Sequence, residues 1–248
     1  MSRSRTWGRA VGGAITSIAA VLLVTSCGDG ASAPQPGASA ANAQKSSLDR
    51  AVQGINRTRD PLVSAMNAVI AAANHVDAVD SASATGDWKK ARKARQANTV
   101  DAPRINDIVG RLPALLRAYS GALGALSTAA KGRDVPVRVS AAVNTVVRAG
   151  RAEVDADGVF VRGVADSWPA YAVLAGQQVL WYERASGDWY DGTKQAAQAY
   201  AVLTTPLRTT TSSASDAFGK SDTTRRAAAD QWAATLEEVQ PILYPPKQ

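Results

Sequence analysis

The chain has 248 residues, of which 46% are hydrophobic and 20% charged, with a formal net charge of +7, one Cys and one His. That length is enough for one large domain or two small ones with a sizeable core. A single Cys excludes a disulfide framework within the chain, and with a single His it excludes the usual zinc, haem and iron–sulfur ligand sets; no metal and no cofactor are expected.

The N-terminus carries Arg3, Arg5 and Arg9 and no acid, followed by an apolar run from Ala10 to Val24. Fifteen residues are short for a bilayer span and match the apolar region of a signal peptide. Val24-Thr25-Ser26-Cys27 follows directly. This tetrapeptide resembles the lipobox of bacterial lipoproteins: an aliphatic residue, two small residues, then the Cys that is acylated. The resemblance implies cleavage before Cys27 and attachment of two or three acyl chains to it. Each buried CH₂ contributes roughly 0.8 kcal/mol, so several chains hold a protein at a membrane where one does not. Loss of residues 1–26 removes three Arg and no acid, which lowers the formal charge from +7 to +4. Much of the apparent basicity is therefore carried by the leader, and a nucleic-acid partner is not expected.

Residues Gly28 to Ser47 are rich in Gly, Ala, Ser, Pro and Gln, the composition of a disordered tether. The expected organisation is a leader at 1–26, lipidated Cys27 with a linker to 47, a helical domain over 48–244, and a short tail at 245–248. From Leu48 the apolar positions step by four and three: Leu48, Val52, Ile55, Arg59, Leu62, Met66, Val69, Ala73, Val76. This is the stripe of a helix packed on neighbours, and its phase continues through Pro61, which favours one helix with a kink. Seven of the nine positions are large and apolar.

A second stripe runs Ile105, Val109, Leu112, Leu116, Tyr119, Leu123, Leu126 and extends backward in phase to Trp88 through a polar half. A third region, about 137–185, carries Val139, Val143 and Val146 and later Trp168, Tyr171, Leu174 and Trp181. Within it, Asp157-Gly158 between β-branched residues is turn chemistry, so 153–161 reads as a break in the helix or a small β-hairpin, with the break favoured. A fourth helix is expected over about 189–218 and a fifth through Ala229, Trp232, Leu236, Val239 and Leu243, ending before Pro245-Pro246. Ala84-Thr-Gly-Asp-Trp88 recurs as Ala185-Ser-Gly-Asp-Trp189; in each, Gly suits the left-handed end of one helix and Asp the N-cap of the next. The fold expected is all-α: an antiparallel bundle of four to five long helices.

The candidate sites are few. Trp168, Tyr171, Trp181 and Trp189 belong to an aromatic-rich region that could line a ligand pocket, although packed core is the commoner use of such rings. Lys89, Lys90, Arg92, Lys93 and Arg95 place five cations in seven residues, either a solvated helix start or a contact for anionic lipid or cell-wall polyanion. His75 lies beside the first stripe with no second His or Cys to ligate metal. Glu153, Asp155 and Asp157 lack the spacing of a calcium loop. No Gly-x-Ser-x-Gly is present, and Glu237 and Glu238, adjacent on a helix, do not face each other. The sequence therefore points to a lipid-anchored protein on the extracytoplasmic side of the cell membrane that binds a small ligand or scaffolds an envelope partner. An envelope enzyme has the least support, and no catalytic residues are expected.

Overall fold

A computed structural model of the chain describes residues 36–97, 100–132, 135–184 and 194–244. The described residues form five helices and no strand: α1 (Pro36–Ala84), α2 (Trp88–Ala97), α3 (Ala102–Ala129), α4 (Val137–Arg184) and α5 (Lys194–Leu243). The protein is all-α, as its periodicity implies. The signal peptide and Cys27 lie outside the described residues. α1 begins at Pro36, inside the segment whose composition reads as a tether. It continues through Pro61 as one helix, and the stripe members Ile55, Leu62, Met66, Val69, Ala73 and Val76 are all buried. Among the described residues one stretch, Ser46–Ala84, has the length and composition to cross a membrane.

Three features differ from the expectation besides the early start of α1 within the expected tether. Residues 153–161 are neither hairpin nor break: α4 runs through them without interruption. Glu153, Ala156, Asp157, Phe160, Val161 and Val164 are buried at helical spacing, so packing of one face overrides the local Asp-Gly turn preference. The fourth and fifth helices are a single α5. Its buried positions, Thr211, Ala214, Phe218, Asp222, Arg225, Trp232, Thr235 and Val239, keep one stripe through the polar residues that separated the two segments in the sequence. Conversely, α2 and α3 are separate. Asp101 caps α3, its Oδ1 accepting the Arg104 N–H at 3.2 Å. Pro103 suits that first turn, having no N–H to satisfy, but its ring would clash within a helix continuing from α2.

The turn at Ala84-Thr85-Gly86-Asp87-Trp88 forms as its residue types require. Gly86 adopts φ +74°, the Asp87 N–H bonds the Ala82 carbonyl at 3.0 Å, and the Gly86 N–H bonds the Ser83 carbonyl at 3.2 Å. This pair of bonds is a Schellman end to α1. Asp87 then caps α2, its Oδ1 accepting the Lys90 N–H at 3.0 Å. The second copy of the turn, at 185–189, lies outside the described residues.

Two compact units divide the chain. The first comprises Val63–Pro113 and Gly158–Thr224, and the second takes in residues up to Leu62, Ala114–Asp157 and the chain from Arg225 onward. The second unit buries Ile55, Tyr119, Leu123, Val143, Val146, Trp232 and Val239. Inside it Glu153 is 1% exposed and accepts from Arg59 Nε (3.0 Å) and Nη2 (2.7 Å) and from the Tyr119 hydroxyl (2.5 Å). Burial works against the Arg59 charge, but the Glu153 carboxylate more than offsets it, and the guanidinium pKa ends above its ordinary value. The guanidinium also lies 4.7 Å from the centre of the Trp232 ring. Helix α4 comes close here through Gly150: a Cβ at that position would lie 2.7 Å from Leu123 Cδ2 and 3.0 Å from Trp232 Nε1.

One turn on from Glu153, Asp157 is also 1% exposed, and neither of its carboxyl oxygens has a hydrogen-bond partner among the described residues. Burial first, and then the Glu153 charge, push its pKa up to about 7 against the opposing pull of Arg225 and Arg59.

Removing one member of a buried ion pair strands the other charge and costs about 3–5 kcal/mol. Glu153→Gln is therefore expected to destabilise the protein by about 3 kcal/mol or more, read as a lower midpoint in chemical denaturation; a loss below about 1 kcal/mol would show the network to be dispensable. For Asp157 the native carboxyl holds its proton more tightly than the unfolded one. The stability from this group is present in full below pH about 4 and is lost as pH rises through about 7. Asp157→Asn should thus raise the melting temperature at pH 8 and flatten its fall between pH 5 and 8; an unchanged pH profile would contradict the assignment.

Candidate functional site

The first unit holds the candidate site, a small cleft lined by α1, α4 and α5. From α1 come Val69, Ile70, Ala73, Asn74 and Asp77, whose spacing of one, three and four residues puts them on a single helical face. Phe160 and Tyr171 come from α4, and Ser215, Phe218 and Asp222 from α5. The enclosed space is about 10 Å³, the room of roughly one water molecule. Its apolar side is aromatic: the Phe218 ring lies 6.0 Å from Phe160 and 5.7 Å from Tyr171, centre to centre.

Asp77 is the polar centre of the cleft. Its Oδ2 accepts from the Tyr171 hydroxyl and from Ser215 Oγ, both at 3.2 Å. The Tyr171 hydroxyl also lies 3.3 Å from the Thr211 carbonyl, so one proton is shared between two acceptors. Burial pushes the Asp77 carboxyl up to about 6; the hydrogen bonds from Ser215 and Tyr171 resist the shift and the Asp80 charge adds to it. Tyr171 is pushed up as well, by burial and by the Asp77 charge. Asp80, one turn on, is differently placed: Arg208 Nε meets its Oδ2 at 3.0 Å and the Tyr200 hydroxyl donates to its Oδ1 at 3.0 Å. Ser215 beside a carboxylate offers a hydroxyl but no imidazole, so what the cleft supplies chemically is the carboxyl groups of Asp77 and Asp222, hydroxyl and amide contacts, and aromatic surface.

The four aromatic residues singled out in the sequence do not share one site. Of those among the described residues, Tyr171 alone lines the cleft. Trp168 stacks on it at 6.2 Å with an interplanar angle of 10° and donates from Nε1 to Asn106 Oδ1 at 2.6 Å, which fixes the Tyr171 ring from the side. Trp181 belongs to a separate apolar cluster with Trp88, Tyr200 and Ala197, the Tyr200 ring sitting edge-on to both indoles. Trp189 lies outside the described residues. Sequence reasoning missed Asn74, Asp77, Ser215, Phe218 and Asp222 as site residues. Asp77 sits next to stripe residue Val76, and nothing in its local pattern separates it from the ordinary polar flank of an amphipathic helix.

Of the basic run, Lys89, Lys90, Arg92 and Lys93 are exposed on α2 while Trp88 and Ala91 are buried. The side chain of Arg95 lies outside the described residues. His75 is half-buried, and burial lowers its pKa. Asp155 is exposed, and no cluster of three His, Cys, Asp or Glu side chains suited to a metal ion occurs among the described residues. No protein-family model, curated protein or solved structure matches the chain.

The Tyr171 hydrogen bond stabilises the ionised form of Asp77, so Tyr171→Phe should move the Asp77 midpoint above about 6 when its carboxyl carbon is followed by NMR titration. A midpoint left in place by the substitution would show that the bond carries no weight.

Proposed function

We propose that this protein is a lipid-anchored extracytoplasmic lipoprotein whose helices pack as antiparallel bundles and which acts by binding a small ligand, not by catalysis. The lipobox-like Val24-Thr25-Ser26-Cys27 supports the anchor. Antiparallel packing is supported within the first unit. Ascending α4, Tyr171 meets Thr211, while Trp181, ten residues later, meets Tyr200, eleven residues earlier on α5. The observation that carries the binding reading is the Asp77 cleft, where a partly buried carboxylate and three aromatic rings converge on one small space.

A second reading, contact with anionic lipid or a cell-wall polymer, is favoured by the exposed cations of α2. Lys89 and Lys90 sit in the first turn, where the helix dipole disfavours positive charge, so an anionic surface would offset a small standing cost.

Ligand binding is tested by screening small polar, cationic and aromatic compounds against the Cys27→Ser protein, where a raised melting temperature is expected and no response from any compound would overturn it. The anchor is tested on cell fractions. The native protein should be recovered in the membrane with a diacylglyceryl group on Cys27 and no leader, and Cys27→Ser should release it into the soluble fraction. A native protein with an intact leader or an unmodified thiol would overturn the anchor. Flotation of the Cys27→Ser protein with anionic but not zwitterionic vesicles, lost in high salt, would establish the second reading in its own right.

A further inference from the structure

Helix α2 meets the first unit with one side only. Trp88 and Ala91 are buried, and the Trp88 ring sits edge-on to Tyr200 of α5 at 6.3 Å. Lys89, Lys90 and Lys93 are exposed and fall within about 100° of one another on the opposite side of the helix. No acid interrupts them anywhere in α2. The apolar side of α2 is therefore already packed, and what the helix turns outward is a cationic face.

The same end of the unit carries an exposed apolar stripe. On α5, Val202 is 75% and Leu203 52% exposed, and Pro206 is exposed one turn on. With half-buried Ala199 they follow the i, i+3, i+4, i+7 spacing of a single helical face, turned away from buried Tyr200 and Thr204. Ala197 packs in the cluster that seats Trp88, so the stripe begins within a turn of α2's own contact. Single exposed apolar residues are ordinary, but a run of them at helical spacing beside a cationic face makes a surface.

We propose that this end of the first unit docks on an anionic bilayer, with Lys89, Lys90 and Lys93 at the lipid phosphates and Val202, Leu203 and Pro206 among the first acyl carbons. The assignment rests on the anionic-surface reading above and names a lipid bilayer as that surface. Charge complementarity selects a polyanion, and the stripe then separates a membrane from a cell-wall polymer, which would leave Val202 and Leu203 in water. Lys stems are long and apolar, so the ammonium reaches a headgroup while its methylenes lie on hydrocarbon. Each Lys near an anionic leaflet strengthens binding about fivefold, and burial of Val or Leu side chains adds to it independently of charge. A surface of this size binds weakly alone. An anchor at Cys27 would hold it at high local lipid concentration, where weak contact is enough to lay the domain down.

The test uses the full-length Cys27→Ser protein, in which Leu203→Cys supplies the sole thiol for an environment-sensitive fluorophore. Thr205→Cys, exposed but about 160° around α5 from Leu203, is the matched control. Every arm carries the same N-terminus, so differences belong to the folded part. Phosphatidylglycerol vesicles are expected to blue-shift the label at 203 and expose it to quenching by doxyl-labelled acyl chains, with a smaller effect at 205. Phosphatidylcholine vesicles should leave both labels in water. Lys89→Gln, Lys90→Gln and Lys93→Gln together should raise the lipid concentration required about tenfold or more. Val202→Gln should reduce quenching at 203 by a smaller factor, with unchanged helical content as the check on folding. An equal shift on phosphatidylcholine would overturn the role of the lysines. A label at 203 that stays in water, while polyphosphate binds and the triple Lys variant loses it, would overturn membrane docking and assign the cations to a polymer. No response to either vesicle or to polyphosphate would overturn the docking proposal and the anionic-surface reading together.

Discussion

A buried carboxylate at Glu153 is the constraint around which the second unit is organised. An ionised carboxyl removed from water costs several kcal/mol unless its lone pairs are occupied. Glu153 is held by donors from two other helices, Arg59 of α1 and Tyr119 of α3. Withdrawal of Arg59 would strand the charge and withdrawal of Tyr119 would leave a buried lone pair open, so three helices are held together at this level. Trp232 of α5 joins them through the Arg59 guanidinium. The small Gly150 lets α4 come within contact of Leu123 and Trp232 one turn before Glu153.

The chain meets the problem of partly or fully buried acids in several ways. Glu153 and Asp80 have Arg partners and Tyr hydroxyls. Asp157 has no hydrogen-bond partner among the described residues and keeps its proton to near neutrality. Asp77 has two hydroxyl donors, which favour its ionised form against the effect of burial. The same residue type thus spans structural pairing, proton retention and a poised carboxylate, and local surroundings alone decide which.

Much of the fold was legible because one physical signal, apolar spacing, dominates long helices. The stripe from Ile55 to Val76 and the one from Ile105 to Leu126 are core as spaced. One stripe position is polar, Arg59, and together with Tyr119, a buried member of the second stripe, it holds Glu153. Turn chemistry was legible where both its residues and its neighbours agreed, as at Gly86-Asp87. It misled at Asp157-Gly158, where a buried face on both sides outweighed a local preference worth about 1 kcal/mol. The cleft was not legible. Asp77, Phe160 and Ser215 lie far apart in the chain and meet only through tertiary packing, and none carries a spacing that marks it. The aromatic cluster pointed to Tyr171 but joined it with Trp181, which packs elsewhere.

The hydroxyls of α5 carry one more consequence. Thr204, Thr205, Thr211, Thr223, Thr224 and Thr235 each donate to the carbonyl four residues back. Such back-bonding slightly weakens a helix, and branched side chains lose rotamer freedom in one. The Thr- and Ser-rich stretch of α5, Thr204 to Thr224, therefore has less helicity of its own than the Ala-rich turns around it. The helical state of this segment therefore owes much to assembly: burial of Phe218, Trp232 and their neighbours supplies what local propensity does not.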